Sequence, residues 1–232
     1  YTTPMKRFLV LLVALLFPLS FAFTINDALA NIQAAADDIT DGSLLLNGRL
    51  YDVDGSIITL ELDIMLVPGE ELMNIFIFQP DALADNMLVM DGDTIASYTF
   101  LTHQVTLFDA NDPNALGSII PAAEGSARAL DLSLDITRLF AEFSAELVAG
   151  TDESKEIVVR FTALKEDSVI KAVDVTVATA TWLPTALRVE GADGHLFAEL
   201  RVDDIEVNPG LDPAELRELP FDAEIIDRRA KP

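Results

Sequence analysis

The residues able to do chemistry in this 232-residue chain are two histidines, 39 acidic residues and scattered hydroxyls, with no cysteine. Without cysteine, thiol catalysis, Cys-ligated zinc and a disulfide framework are all closed to it. His103 and His195 fall in separate strand-like stretches with no second ligand at a metal-binding spacing. Both read as surface or strand-edge histidines, and no metal is expected. Glu70-Glu71, Asp91 with Asp93, and Asp203-Asp204 are acid pairs that could divide general-acid and general-base work. In so acidic a chain such pairs arise by chance, and an extracytoplasmic hydrolase built on them is the least supported reading. Asp52-Val53-Asp54-Gly55 opens like a calcium loop but lacks the later ligands and the closing Glu, and reads better as a hairpin turn. Ser56 and Ser118 each follow a glycine with no base at a suggestive spacing, and no G-x-S-x-G elbow, phosphate-binding Gly-rich loop or H-E-x-x-H is present. These residues predict neither an enzyme nor a cofactor.

Charge narrows the partners. With 15 Lys+Arg the formal net charge is −24, which repels phosphate backbones and anionic headgroups. Nucleic acid is therefore not an expected partner. Half of the residues are nonetheless hydrophobic, too many for a disordered chain. The length suits one domain with a sizeable core.

The N-terminus reads as an address. Met5-Lys6-Arg7 precedes a 14-residue uncharged run, Phe8 to Phe21, and Ser20-Phe21-Ala22 supplies small residues at −3 and −1 of a cleavage site after Ala22. That is the pattern of a secretory signal peptide, too short to span a bilayer comfortably. Residues 1–22 are thus expected to be a signal with extra N-terminal residues, and 23–232 a single domain outside the cytoplasm. Removing Lys6 and Arg7 and no acid would take the charge from −24 to −26.

The elements that must position any site are mostly strands. Ile25, Leu29, Ile32, Ala36 and Ile39 recur at helical spacing, and Thr24 with Asp27 forms a capping box, so Thr24 to Ile39 is predicted helical. Eleven strands follow between Leu44 and Val207 by alternation and turn signals. In Ser56 to Leu66 one face is apolar, while Thr59, Glu61, Asp63 and Met65 are expected to face water. Met73 to Gln79 is apolar on both faces. Glu142 to Ala149 fits both periods and is assigned as a strand because a strand follows at once. Asp222 to Ile226 suggests a short edge strand. Few helices and no βαβ rhythm predict a mainly β, antiparallel barrel or strongly curved sheet. Its apolar stripes, Ile58, Leu60, Leu62 and Ile64, Ile75, Ile77 and Phe78, Tyr98, and Leu132, Leu139 and Phe140, could line a cavity or fill an ordinary core.

The order of elements resembles the LolA-like family of periplasmic lipoprotein carriers and their relatives. The likeness is sharpest at Asn86–Asp109 (NMLVMDGDTIASYTFLTHQVTLFD) and Thr181–Asn208 (TWLPTALRVEGADGHLFAELRVDDIEVN), and Leu211 to Asp227 is similar to the family's closing segment. The resemblance implies an eleven-strand unclosed half-barrel with an N-terminal helix and a short helical lid, which Asn111–Phe140 would supply. It implies a non-enzymatic carrier that takes acyl chains of lipoproteins or lipids into an apolar cavity, with an inner-membrane donor complex and an outer-membrane receptor as partners, acting as a monomer. An envelope sensor or interaction module on the same fold is the alternative. Where the carriers have a basic Arg-Pro segment that helps hold the lid, this chain has Val67-Pro68-Gly69-Glu70-Glu71, with neither Arg nor Lys. The gap is wider still: positions 50–127 contain 13 acids and no Lys or Arg. That half of the barrel is expected to meet a basic partner or a salt-rich medium.

Overall fold

A computed structural model describes residues 23–52, 54–110 and 142–229. The expected signal peptide (1–22) and lid segment (111–140) lie outside the described residues, as do Leu132, Leu139 and Phe140.

Helix α1 (Ile25–Asp37) starts where the capping box placed it. The Asp27 N–H donates to Thr24 Oγ1 at 3.3 Å, and Asp27 Oδ2 accepts from the Thr24 N–H at 2.8 Å. Two backbone donors left free at a helix start are thereby satisfied. Among the described residues twelve strands follow: β1 (Gly42–Tyr51), β2 (Ile57–Val67), β3 (Leu72–Gln79), β4 (Met87–Asp91), β5 (Thr94–Thr99), β6 (Gln104–Asp109), β7 (Phe143–Ala149), β8 (Glu156–Ala163), β9 (Ile170–Ala178), β10 (Leu183–Gly191), β11 (Leu196–Val207) and β12 (Glu224–Asp227). A single helical turn, α2 (Pro213–Leu216), lies between the last two. The eleven strands expected up to Val207 are all present, and the ambiguous Glu142–Ala149 is strand β7.

All twelve form one sheet in the order β12-β6-β5-β4-β3-β2-β1-β11-β10-β9-β8-β7. Neighbours are antiparallel except β12, which runs parallel to β6. The order ends at β12 and β7 and does not return on itself: this is an open half-barrel. Its seam is β1, which joins the N-terminal meander β2–β6 to the C-terminal meander β7–β11.

Two layers cover this sheet at opposite ends and on opposite faces. Over the C-terminal meander α1 packs through Ala28, with Ile25 and Ile32, on Ile157, Val159 and Val177, each at most 1% exposed. Over the N-terminal meander the segment carrying Leu211, Leu216, Leu219 and Ala223 packs on Val67, Leu72, Val89, Ala96, Tyr98 and Val105. Met65, expected to face water, packs in this cluster instead. The alternation of β2 was read correctly, but a segment distant in sequence, beginning at Leu211, folds over its polar side.

The two ends of the domain are tied at one node. Asn208, with a left-handed φ of 55°, accepts at Oδ1 from the Thr40 N–H at 2.7 Å and donates from Nδ2 to the Asp38 carbonyl at 3.0 Å. Asp41 Oδ1 accepts from the backbone N–H groups of Leu211 at 3.0 Å and Gly210 at 2.8 Å. The Leu211 N–H above all, with that of Gly210 and the Thr40 hydroxyl, outweighs partial desolvation and holds the Asp41 carboxyl below its ordinary pKa. A carboxylate whose pKa is lowered on folding adds stability above its unfolded value and loses it as pH falls through the folded one. The stability gap between the unchanged chain and Asp41→Asn is therefore expected to be widest near neutrality and to shrink as the pH drops below about 4. Denaturant midpoints across that range check it, and a gap that stays constant would refute the linkage.

Candidate functional site

In an antiparallel pair, residues directly opposite share a face, so the register shows which side chains the sheet brings together. One row runs Leu147, Val159, Val175, Leu187, Leu200, Gly48, Leu60 from β7 to β2. A second runs Ala145, Phe161, Val173, Val189, Ala198, Leu50, Ile58. A third runs Val202, Leu46, Leu62, Ile77, and a fourth Leu44, Ile64, Ile75, Leu88, Ser97, Thr106. The face that carries α1 is thus apolar almost from edge to edge.

Burial divides that face into three zones. Under α1 it is fully buried at Ile157, Val159 and Val177. Towards β3–β6 it is buried again at Ile64, Ile75, Ile77, Leu88 and Ile95. Between them Leu44, Leu46, Leu50, Ile58, Leu60, Leu62, Leu187 and Val189 are half-buried, while Ala198, Leu200 and Val202 of β11, in the same rows, are buried. Ile58, Leu60, Leu62, Ile64, Ile75 and Ile77, singled out from the sequence, therefore lie on one continuous surface.

Phe78 and Tyr98 do not join them. Phe78 sits at an irregularity where Glu61 and Leu62 pair with Gln79 and Ile77, and its ring meets Phe76 edge-on at 5.1 Å on the other face, 42% exposed. Tyr98 is opposite Met87 and Val105, buried beneath the C-terminal segment. Alternation alone assigns neighbours to different sides but cannot say which side is the helix side. The sequence also missed Leu44, Leu46, Leu50, Leu187 and Val189. The apolar residues of β1 and β10 were readable, but the pairing of β1 with β11 that aligns them joins strands from opposite ends of the domain.

The reverse face of the C-terminal meander is polar and self-neutralising. Its central row reads Glu146, Arg160, Asp174, Arg188, Glu199, Arg49. Alternating charges directly opposite are the favourable arrangement across strands. Arg160 grips Asp174 in a two-pronged pair at 2.6 and 2.7 Å. A shallow recess of about 540 Å³ lies over this face, bordered by Asn47, Arg49, Thr176, Arg188 and Arg201.

One acid of each pair is a structural tie. Glu70 and Asp91 converge on Arg217, at 2.9 Å each. Asp91 first, then Glu70, hold the Arg217 guanidinium above its already high pKa. The turn that lacks the carriers' basic residue thus acquires one from the C-terminal segment. Asp203 accepts from Asn47 and Arg201, both at 3.2 Å. Asp54 accepts from the Ser56 N–H at 2.8 Å in a hairpin closed by the Asp52 N–H to the Ser56 carbonyl at 2.9 Å. His103 bridges the Tyr98 hydroxyl at 3.0 Å and the Asp222 carboxylate at 3.1 Å. Among the described residues no group of three or more His, Asp or Glu is placed to hold a metal ion, and no helix is long and apolar enough to cross a membrane.

Replacing Arg217 by Met should leave Glu70 and Asp91 facing each other without a counter-charge. Amide hydrogen exchange at residues 211–219 is expected to quicken while that of β8 and β9 stays unchanged. Unaltered exchange in 211–219 would show that apolar packing alone holds the segment.

No family model and no curated protein matches the sequence. Solved structures do match the fold. An uncharacterized conserved protein from Thermus thermophilus superposes with a TM-score of 0.60 at 15% identity, over 88% of this chain and 98% of its own. A DUF1329 family protein from Desulfovibrio piger gives 0.46 at 11% identity, covering 84% and 98%. A LolA superfamily protein from Nitrosomonas europaea gives 0.39 at 12% identity, covering 82% and 97%. The first likeness establishes a shared open half-barrel over nearly the whole of both chains.

Proposed function

We propose that this half-barrel is a non-enzymatic periplasmic carrier that holds acyl chains of lipids or lipoproteins against the half-buried centre of its helix face. The supporting observation is that Leu44, Leu46, Leu50, Ile58, Leu60 and Leu62 on β1 and β2, and Leu187 and Val189 on β10, are half-buried on one face, on either side of the buried Ala198, Leu200 and Val202 of β11. A methylene chain in water gains about 0.8 kcal/mol for each CH₂ it buries. It needs no hydrogen-bonding partner, only a continuous apolar surface. Helix α1 packs at the β7–β9 end of the face through the small Ala28, and Ile39, just after it, packs beside Leu44, Leu46 and Leu62. The charge fits such a role: an acidic exterior keeps an apolar cargo carrier soluble and away from anionic membrane surfaces.

The test is native mass spectrometry of protein recovered from its own periplasm, alongside titration of delipidated protein with a fluorescent fatty-acyl probe. Co-purified lipid and saturable probe binding are expected. Absence of both would end the carrier reading.

A further inference from the structure

Asn74 of β3 is a polar side chain buried to 5% exposure, on the face opposite the proposed acyl surface. Its Nδ2 donates to the Leu216 carbonyl at 2.8 Å and meets the Met87 sulfur at 3.5 Å. Its Oδ1, shielded from bulk water, has no donor among the described residues. Buried polar atoms are ordinarily hydrogen-bonded, so this acceptor points to a partner from outside the chain.

Register gives the direction of that oxygen. Asn74 stands between Met65 of β2 and Val89 of β4, and Met87 lies two residues before Val89 on β4. The amide nitrogen leans to the β4 side, which leaves the oxygen towards Met65. On that side a recess of about 480 Å³ opens between the sheet and the C-terminal segment, lined by Met65, Asn74, Leu211, Asp212, Glu215 and Leu216.

The lining selects a chemistry. Met65, Leu211 and Leu216 are apolar walls. The side-chain polar atoms left for a ligand are acceptors: Asn74 Oδ1 and the carboxylates of Asp212 and Glu215. Asp212 spends Oδ1 on the Ala214 N–H at 2.8 Å, which leaves its Oδ2. The nearby backbone N–H groups of Gly210 and Leu211 are already given to Asp41, and Arg217 is turned to Glu70 and Asp91. Two carboxylates fall short of a metal-ion ligand set among the described residues. A cation that donates hydrogen bonds satisfies all three acceptors, and the apolar walls suit an aliphatic stem.

We infer that this recess binds a primary ammonium carried on an aliphatic stem. Its N–H groups donate to Asn74 Oδ1, Asp212 and Glu215, three donors for three acceptors. Its methylenes lie against Met65, Leu211 and Leu216. The recess and the acyl surface are on opposite faces of the sheet, and the inference does not rest on the carrier reading.

Pentylammonium titrated into the isotope-labelled full chain tests the site by nuclear magnetic resonance. Saturable shifts of the Asn74 side-chain amide and of the backbone amides of Leu211 and Glu215 are expected. Asn74→Leu would also cut the tie to the Leu216 carbonyl, so the two exposed acids carry the mutational test. Asp212→Asn, which keeps a capping side chain, and Glu215→Gln should each weaken the affinity by about tenfold. Glu166→Gln/Asp167→Asn removes two negative charges from the turn between β8 and β9 and should change nothing. A loss there equal to that of either site variant would overturn the inference, because it would show only general attraction to an acidic protein. Equal binding of tetramethylammonium, which has the charge but no N–H, would overturn it too. So would Asn74 resonances that pentylammonium leaves unmoved, the result expected if water alone serves Oδ1. Nα-acetyl-lysine methylamide distinguishes the sources of the ammonium. Binding equal to pentylammonium supports the site as one for a lysine of another polypeptide, and its exclusion beside bound pentylammonium supports a site for free amines.

Discussion

Gly48→Ala should be among the most destabilising single substitutions in the chain, lowering stability by about 3 kcal/mol and the melting midpoint by roughly 6–12 °C for a domain of this size. A Cβ at this position would lie 2.1 Å from the Glu199 carbonyl oxygen and 2.8 Å from the Leu200 Cα. Both are backbone atoms of the partner strand, so no side chain can rotate to make room. Either β1 and β11 move apart or β1 twists away from β2. Gly48 sits within the seam where the two meanders meet, and each remedy disturbs hydrogen bonds on one side of it. A glycine within a strand commonly marks such a close backbone approach. Gly69→Ala is the matched control: nothing lies within 4 Å of its added Cβ, and its effect should be near zero. Urea denaturation of the two variants decides the matter. Equal midpoints would mean that the seam relaxes without cost.

The contrast between Gly48 and its neighbours shows where sequence reading stops. Strand existence depends on local alternation, and β1 to β11 could be located within a residue or two from Leu44 to Val207. The capping box of Thr24 and Asp27 is equally local. Pairing across the seam is not: Leu46 meets Val202 and Gly48 meets Leu200, residues at opposite ends of the domain's sequence. The close approach at Gly48 has no local signature, because its neighbours Asn47 and Arg49 read as an ordinary exposed strand side. The same limit governs the site. Ile58, Leu60, Leu62 and Ile64 could be grouped because they share a strand, and Ile75 and Ile77 because they share the next. Phe78 and Tyr98 required knowledge of side, which depends on what packs above each face. The C-terminal cover over Met65 and Tyr98, with Arg217 bringing a cation to Glu70 and Asp91, arises from a segment far from all of them in sequence.

Converting the half-buried apolar centre to a polar one separates cargo binding from fold. In Leu46→Asn/Leu60→Asn two side chains change in adjacent strands of the helix face. Both are half-buried, so water reaches the new amides in the empty protein and the cost to the fold is modest. Against an acyl chain the same amides lose their water without gaining a partner, a penalty of about 1–3 kcal/mol each. Contacts with several methylenes, at about 0.8 kcal/mol per CH₂, are lost as well. The affinity for a fluorescent fatty-acyl probe should therefore fall by roughly 10- to 100-fold or more, since about 1.4 kcal/mol is a factor of ten. Arg188→Ala, on the reverse face, should leave it unchanged, because the sheet itself separates that side chain from the groove. The pair of readings also distinguishes a groove from a core. If these leucines instead fill a permanently packed interior, the double variant loses several kcal/mol of stability and shows a large drop in melting midpoint. A melting midpoint within a few degrees of the unchanged chain, together with lost probe binding, is the result expected of a carrier face. Full probe affinity in a well-folded Leu46→Asn/Leu60→Asn variant would remove the helix face from consideration as the acyl site.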